Sequence, residues 1–431
     1  MTKIFTNKSN IDLDYPICRP SLDLDFTQEV LDPRITFTRG TSGTRVNRNR
    51  LIETMSINTP RFDYDSVTGE CKGLLIEEGR VNSWLYSGQN VTTGWSLGGG
   101  TLSFGNTITA PDATTNTVKF TESAIYTGGK GFSQTLSVTS GTSYTFSIFA
   151  KQPDNSPPRY FSILLFNTGF GEFKLATFNP TNGAVLYTSG TLTTSVQKYP
   201  NGWWRFSVTG TATVTTTSGF SIRFTNSVTG SANPPYGFGG PFGNYTGDGS
   251  SFLYFYGPQV ENGAFMTSFI PTDGTAGGKP RSADTVSMTG TNFSSWYNQS
   301  GGTILVDCSN PTSSTIICTI SDGTASNRLQ LEGQTNNRQI RVVYNGVSTT
   351  SPIAYTYGRK QKFISSYTSN ILRYANAGIL GTTTKIPAFP TVNNLRIGAS
   401  VINASQLNSS IARLTYYPRS LTDNQHKYLT A

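Results

Sequence analysis

Apolar and polar residues alternate over many short segments of this sequence, and this alternation limits the possible folds more than any other feature. In segments 144–150, 204–208 and 220–224, every second residue is aromatic or aliphatic. A period of two puts successive side chains on opposite faces of a strand, whereas a helix needs a period near 3.6. Glycine, with 44 residues, is frequent in the stretches between such segments, as turns require. The sequence therefore predicts an all-β protein.

The spacing of these segments divides the 431 residues into four parts. Residues 1–84 predict an N-terminal β-ribbon arm, an attachment region whose short strands need a neighbour to bury their apolar faces. Residues 85–272 predict a β-sandwich of jelly-roll type, and residues 301–431 predict a second sandwich. Residues 273–300 are poor in apolar residues and predict a linker. Thr422 predicts a capping box that starts one closing helical turn.

The net charge of +9 belongs to the C-terminal part of the chain. Residues 1–84 contain 11 basic residues (Lys and Arg) and 12 acidic residues (Asp and Glu). The corresponding numbers are 8 basic and 6 acidic in residues 85–271, and 14 basic and 6 acidic in residues 272–431. A basic sheet surface favours an acidic partner, either an anionic cell-surface polysaccharide or an acidic protein surface. The alternative is that scattered arginines only keep the domain soluble.

The sequence predicts no cofactor and no metal site. Its single histidine, His426, has no cluster of cysteines around it in the sequence, so a zinc site is not expected. We predict buried free thiols for the cysteines, although Cys308 and Cys318 are spaced to face each other across neighbouring strands. Carboxylates alternate in 11–14 and 22–26, which puts them on the solvent face of strands and leaves calcium binding as the alternative.

No apolar run approaches the roughly 20 residues that a membrane-spanning helix needs. Residues 1–10 also lack the apolar core of a signal peptide. We therefore expect neither membrane insertion nor secretion by the usual route, and we predict no nucleic-acid partner.

Three phrases near the N-terminus carry a family resemblance. They read LDPRITFTR at 31–39, PRFDYDSVTGE at 60–70 and GLLIEEGRVN at 73–82. This series resembles the N-terminal signature of a family of bacteriophage virion proteins, usually described as head-spike, fibre or tail structural proteins. The resemblance implies a protein that is assembled in the host cytoplasm and displayed on the particle surface, where its N-terminal region binds capsid or tail proteins. The residues expected to make this attachment are Arg34, Phe37, Arg39, Arg61, Phe62 and Tyr64.

Later phrases resemble domains that accompany such signatures. YPNGWWR at 199–205 and YGPQVENG at 256–263 resemble carbohydrate-binding modules of jelly-roll type. IARLTYYPRSLT at 411–422 resembles laminin-G or concanavalin-like lectin domains. The resemblance implies that the two predicted sandwiches bind sugars or other virion subunits.

Two groups of residues are candidates for contact with a glycan or a protein partner. An aromatic loop at 233–245 has no strand or helix period, and its prolines and glycines favour displayed rings. Such rings stack on sugars, anchor protein interfaces or pack locally over the end of the sandwich. The basic C-terminal strands supply the second group. The candidates are Trp203, Tyr236, Phe238, Phe242, Tyr245, Arg338, Arg341 and Arg373.

The distribution of acids argues against an enzyme. Glycan hydrolysis usually needs two carboxylates that flank the bond, and the C-terminal sandwich has only Asp307, Asp322, Glu332 and Asp423. A serine triad would have to use His426 in the last turn, where surface packing is the simpler role. We therefore predict a non-enzymatic virion surface protein that binds host glycans. A capsid or tail decoration protein is the alternative, a depolymerase is disfavoured, and no stalk repeat reveals whether the chain forms a homo-oligomer.

Overall fold

The computed structural model describes residues 19–88, 93–125, 129–154, 156–226, 245–308, 315–333, 337–354, 361–402 and 405–431. Strands dominate the described residues, and the prediction of an all-β protein built from β-sandwiches is confirmed. None of the helices in these ranges is long and apolar enough to cross a membrane.

The N-terminal region contains seven short strands. They are β1 (Leu22–Asp25), β2 (Thr36–Thr38), β3 (Gly43–Val46), β4 (Ile52–Met55), β5 (Phe62–Tyr64), β6 (Cys71–Ile76) and β7 (Arg80–Asn82). A 3₁₀ turn, Phe26–Gln28, follows β1, and the Asp25 side chain caps it by accepting a hydrogen bond from the Thr27 amide. Strands β3 and β4 form a ribbon of their own. Strands β1, β2, β6 and β7 pair with strands from later parts of the chain, and β5 joins the same sheet by pairing with β6.

The middle of the chain is a jelly-roll-like sandwich of two six-stranded antiparallel sheets. Its strands are β8 (Ser96–Gly98), β9 (Gly100–Ser103), β10 (Val118–Glu122), β11 (Lys130–Val138), β12 (Ser143–Lys151), β13 (Tyr160–Leu165), β14 (Lys174–Phe178), β15 (Val185–Thr188), β16 (Thr193–Lys198), β17 (Trp204–Thr211), β18 (Thr216–Thr225) and β19 (Phe252–Asn262), with a short helix α1 (Asn167–Phe170). The sheet orders are β16-β17-β12-β19-β10-β9 and β15-β14-β13-β18-β11-β8. The alternating residues of the sequence meet between the sheets, where phenylalanines fill the core.

The C-terminal part supplies the remaining strands. They are β20 (Lys279–Arg281), β21 (Thr285–Thr289), β22 (Gly301–Cys308), β23 (Thr315–Ser321), β24 (Arg328–Gly333), β25 (Asn337–Tyr344), β26 (Val347–Ala354), β27 (Gln361–Thr368), β28 (Ile371–Asn376), β29 (Ile379–Leu380), β30 (Thr384–Lys385), β31 (Asn394–Ile397) and β32 (Ser409–Tyr417). Helices α2 (Thr291–Ser294) and α3 (Asp423–Thr430) accompany them. The predicted capping box is confirmed, because the Thr422 side chain accepts from the Gln425 amide and Gln425 bonds back to the Thr422 amide.

The second sandwich is built from strands at both ends of the chain. One sheet has the order β29-β28-β27-β22-β32-β6-β5, with β1 also on β32 and β30 on β28. The facing sheet has the order β2-β21-β31-β23-β24-β25-β26. The core between them includes the N-terminal residues Leu22, Leu24, Phe26, Leu74 and Ile76. This sandwich therefore needs residues more than 300 positions apart, as the register of Leu24 opposite Leu414 illustrates.

The expected N-terminal arm is wrong for described residues 19–82. Strand β1 pairs with β32, β6 inserts beside β32, and β2 extends the opposite sheet by pairing with β21. Each of these strands has an apolar face too small to be stable alone, and the chain's own C-terminal sandwich covers it. The neighbour that the sequence required is within the same chain.

The expected linker over 273–300 is also wrong. Strand β20 pairs with β7, and β21 lies inside the seven-stranded sheet between β2 and β31. Phe293 and Trp296 are buried in the C-terminal core. The low apolar content of this segment led to the linker prediction. That prediction failed because Arg281 and Asp284 are buried, whereas charged residues in a sequence normally indicate an exposed segment.

Candidate functional site

Three residues of the signature phrases, Arg39, Arg61 and Glu77, form a buried ion network with Arg281 and Asp284 where the two sandwiches meet. Arg61 Nη1 and Arg281 Nη1 each lie 2.7 Å from Oε2 of Glu77. Asp284 accepts from Arg61 and lies 3.2 Å from Nη1 of Arg39. All five side chains are less than one tenth exposed. We call these five residues the junction network.

Ionisation in the junction network is controlled by its arginines. Burial opposes the charged form of Glu77, but the guanidinium groups of Arg281 and Arg61 outweigh it and lower the pKa of Glu77 to about 2. The Ser268 amide, at the end of the jelly roll, donates to Glu77 Oε1 at 2.7 Å. The network therefore ties the N-terminal strands to both sandwiches, and Glu77 within it is charged at neutral pH.

Most of the expected attachment residues lie inside the protein. Phe37, Arg39, Arg61, Phe62 and Tyr64 are all less than one tenth exposed. Arg39 and Arg61 belong to the junction network, and Phe37 and Phe62 pack in the C-terminal core. Only Arg34 of the six has substantial exposure, with 31% of its side chain accessible beside Asp32. The signature stretch thus has a structural role in joining the domains.

Trp203 is not a displayed ring. Its side chain is 1% exposed and packs with Tyr199, Phe149 and Phe269. Its indole Nε1 donates to the Thr109 carbonyl at 2.9 Å. The expectation that Trp203 contacts a ligand is therefore wrong, because its ring closes the small core beneath the N-terminal ribbon.

The aromatic loop is only partly within the described residues. Tyr236, Phe238 and Phe242 lie outside them. Tyr245 is half-buried, its hydroxyl donates to Glu122, and Lys130 Nζ lies 4.0 Å from its ring centre. Burial, followed by the hydrogen bond to Glu122, raises the pKa of Tyr245. These contacts fix the ring against the sandwich end, as the local-packing alternative expected.

A basic groove lies on the outer face of the seven-stranded sheet. Strand β24 alternates, so Leu329 and Leu331 enter the core while Arg328, Gln330 and Glu332 lie on the other face. Strand β25 adds Arg341, which pairs in register with Gln330. The groove has a volume of about 340 Å³. Its apolar wall consists of Ile316, Val401 and Ile402. We call this site the arginine groove.

The carboxylate of Glu332 in the arginine groove already accepts hydrogen bonds from neighbouring side chains. Glu332 has a side chain 4% exposed and accepts from Arg341 Nη2 at 2.8 Å and from Gln330 Nε2 at 2.7 Å. Arg328 Nε donates to Gln330 Oε1 at 2.8 Å, and no carboxylate among the described residues lies within 4 Å of its guanidinium. Burial and the nearby charge of Arg341 lower the pKa of Arg328, although it remains charged at neutral pH. The groove therefore has a surplus of positive charge.

The structure separates the three arginines proposed from sequence. Arg341 lines the arginine groove. Arg338 stands on the same strand, β25, with its side chain outside the described residues. Arg373 lies on β28 in the opposite sheet, 3.8 Å from Asp423. Sequence reasoning missed Arg328 and Glu332, although the alternation with Leu329 and Leu331 could have placed both beside Arg341.

His426 is a packed residue within the protein and does not lie on the surface. It is 0% exposed on α3, and its Nε2 lies 2.6 Å from Ser366 Oγ. Burial lowers the pKa of His426 to about 4, so the ring is neutral at pH 7. Within the described ranges, no group of three or more His, Cys, Asp or Glu residues is arranged to hold a metal ion.

No protein-family model and no curated protein sequence matches this chain. Among solved structures, it is similar to the family 40 carbohydrate-binding module of a Ruminococcus gnavus sialidase bound to α2,6 sialyllactose, with 17% identity, TM-score 0.27, and 31% of this chain and 85% of that chain covered. It is also similar to domain 4 of AbnA, an arabinanase from Geobacillus stearothermophilus in complex with arabinotriose, with 12% identity, TM-score 0.30, and coverage of 35% and 73%.

Domains LG4-5 of the mouse laminin α1 chain are a third similar structure, with 9% identity, TM-score 0.23, and 70% of this chain and 89% of that chain covered. These similarities are low in identity and in TM-score.

Proposed function

We propose that this chain binds an acidic glycan in the arginine groove. The observation that carries the proposal is the pair Arg328 and Arg341, which lie beside one carboxylate that is already fully hydrogen bonded. A guanidinium group donates to a carboxylate in a fixed, paired geometry, so the surplus charge favours sugars that carry carboxylates.

The shape of the arginine groove supports a saccharide. Ile402 is 78% exposed and faces solvent beside the arginines, as one wall of the groove. An apolar wall next to a few polar donors is typical of sites that pack one face of a ligand and orient it through hydrogen bonds. The arginine groove is therefore the place we propose for the acidic partner expected from the charge of residues 272–431.

Binding of polygalacturonate to the full-length chain tests the proposal. Arg328→Ala is the sharpest variant because it removes one guanidinium and leaves the Arg341–Glu332 pair in place. We expect its dissociation constant to rise about tenfold, since one charge-assisted hydrogen bond is worth roughly 1.5 kcal/mol or more. Titration calorimetry at 50 and 200 mM salt measures the effect, and binding should weaken at the higher salt concentration.

The matched control is Arg373→Ala on the opposite sheet. Arg373 belongs to the same C-terminal sandwich and is 36% exposed, but it does not line the arginine groove. The control should bind like the unmodified chain. A loss confined to Arg373→Ala would move the site to the other sheet, and no binding of polygalacturonate at low salt would contradict the glycan proposal.

We also propose that the chain is a non-enzymatic surface protein of a bacteriophage particle. The support is the signature at 31–39, 60–70 and 73–82, which resembles that of phage spike and fibre proteins. Because most of the signature is buried, attachment to other virion proteins needs exposed residues of the same region, of which Arg34 is one. Arg34→Glu should reduce the amount of chain on purified particles, measured by quantitative immunoblotting. Unchanged incorporation would contradict this role of Arg34.

A further inference from the structure

A second polar cavity lies where the N-terminal strands, the jelly roll and β32 meet. Its volume is about 230 Å³, enough for several waters or a small ligand. The N-terminal region contributes Asp63 and Lys72, the jelly roll contributes Tyr199 and Arg205, and β32 contributes Ser410. We call it the junction cavity. It shares no residue with the arginine groove.

The carboxylates of the junction cavity already have partners. Asp63 accepts from the Val46 amide at 2.8 Å and is paired with Lys72. Glu77, which also lines the cavity, is held by Arg61 and Arg281 in the junction network. Neither carboxylate is available as the main acceptor for a ligand's donor groups.

The donors of the junction cavity are less fully used. Lys72 has three N–H groups, and Asp63 is its ion-pair partner among the described residues. Its side chain lines the cavity and is 29% exposed. Tyr199 is buried, and burial raises its pKa, so its hydroxyl remains a possible donor at neutral pH.

Arg205 is the most unusual group in this cavity. It is 3% exposed, and its guanidinium donates to the Thr267 carbonyl at 2.7 Å and to Ser147 Oγ at 3.0 Å. Within the described part of the chain, no carboxylate oxygen lies within 4 Å of it, whereas Arg39 and Arg281 each have one carboxylate partner and Arg61 has two. A buried cation without an anionic partner is costly, and a bound anion would reduce that cost.

We infer that the junction cavity binds a small organic anion, a monosaccharide-sized carboxylate with hydroxyl groups. Lys72 and Arg205 supply the positive charge for the carboxylate. Gln197 and Ser410 supply polar groups suited to hydroxyls, and Phe269 supplies apolar surface. The ligand would contact three separate parts of the chain, so its binding would strengthen their association.

Titration calorimetry of the full-length chain with glucuronate, and with glucose as the neutral comparison, tests this inference. We expect saturable one-to-one binding of glucuronate and none of glucose. Lys72→Gln should weaken glucuronate binding at least tenfold, because it removes one of the two positive charges proposed to hold the carboxylate. The variant should still fold, since the Lys72 side chain is partly exposed and Asp63 keeps its hydrogen bond from the Val46 amide. Arg205→Lys provides a second variant that keeps the charge but loses the planar donor geometry, and it should also weaken binding.

The groove variant Arg328→Ala separates this site from the proposed glycan site. This variant should bind glucuronate with the affinity of the unmodified chain, although its affinity for polygalacturonate is reduced. The inference is overturned if the unmodified chain shows no saturable glucuronate binding, if glucose binds equally well, or if Lys72→Gln leaves the affinity unchanged. A loss in Arg328→Ala equal to that in Lys72→Gln would also overturn it.

Discussion

At the scale of residues, the charged side chains of the junction network connect the domains of this chain. Asp284 forms ion pairs with both Arg39 and Arg61, and it also accepts a hydrogen bond from the Glu77 amide at 2.9 Å. Buried ions of this kind add little net stability over apolar packing, but the loss of one partner leaves an uncompensated charge. The signature of the sequence is therefore best explained as the set of residues that makes one specific junction.

Asp284→Asn tests the junction network. We expect a loss of about 3–5 kcal/mol in the free energy of unfolding, because two buried guanidinium groups lose their shared anion. Urea denaturation at pH 7 measures it. Asp273→Asn is the control, since Asp273 is 42% exposed beside Lys279 and its loss should cost less than about 1 kcal/mol. Equal effects of the two variants would show that the network does not stabilise the fold.

Buried His426 makes stability depend on pH in a defined window. Its pKa falls from an ordinary 6.5 in the unfolded chain to about 4 in the folded protein, so the unfolded chain binds the proton more readily. The stabilisation is complete above pH 6.5 and is lost as the pH falls toward 4, by up to about 3 kcal/mol. The carboxylate of Glu77 acts in a separate window between pH 4.5 and 2.

His426→Gln should remove the pH dependence of the upper window. Unfolding free energies measured between pH 7 and pH 4 should fall less steeply in this variant than in the unmodified chain. The variant will be less stable at pH 7 if the bond to Ser366 is lost, but only the slope tests the prediction. Parallel slopes would mean that the buried ring does not titrate as its surroundings predict.

At the scale of strands, the sequence predicted local structure better than pairing. The alternation at 204–208 and 220–224 placed β17 and β18 correctly, and Thr422 gave the cap of α3. The sequence of β1 did not reveal that it pairs with β32. The two strands lie nearly 400 residues apart, and a pairing over that distance produces no periodic pattern in the local sequence. Arg328 and Glu332 are a different case, because their alternation with Leu329 and Leu331 was a local signal that could have placed them beside Arg341.

The strand pairing predicts which fragments of the chain can fold. Both sheets of the jelly roll use only strands β8–β19, so a fragment of residues 83–272 should show cooperative thermal unfolding. A fragment of residues 301–431 lacks β1, β2, β5, β6 and β21, and should show none. Circular dichroism of the two purified fragments measures the contrast. Cooperative unfolding of the 301–431 fragment would contradict the importance of the N-terminal strands.

At the scale of the whole molecule, the two sandwiches share packing as well as charge. Val46, Ile52 and Tyr64 of the N-terminal region form one small core with Phe149 and Trp203 of the jelly roll. Strands β5 and β6, from the same region, lie in the second sandwich. The number of sandwiches was predictable from alternation. The shared junction was not, because its polar residues are typical of exposed loops and arms.

This shared packing predicts that the full-length chain unfolds as one unit. Differential scanning calorimetry at pH 7 should give a single transition, because the unfolding of either sandwich exposes the common core and the junction network. Asp284→Asn should broaden or split that transition. Two well-separated transitions in the unmodified chain would contradict the prediction.

The pairing of β1 with β32 also sets an order of events during synthesis. At about 5–20 residues per second, strand β32 leaves the ribosome roughly 20–80 s after β1. The jelly roll can fold in that interval, whereas β1 and β6 cannot pair with β32 until translation is nearly complete. A translational stall or an early stop within the last strands would therefore release a chain whose beginning, as well as its end, is left unfolded and prone to aggregate.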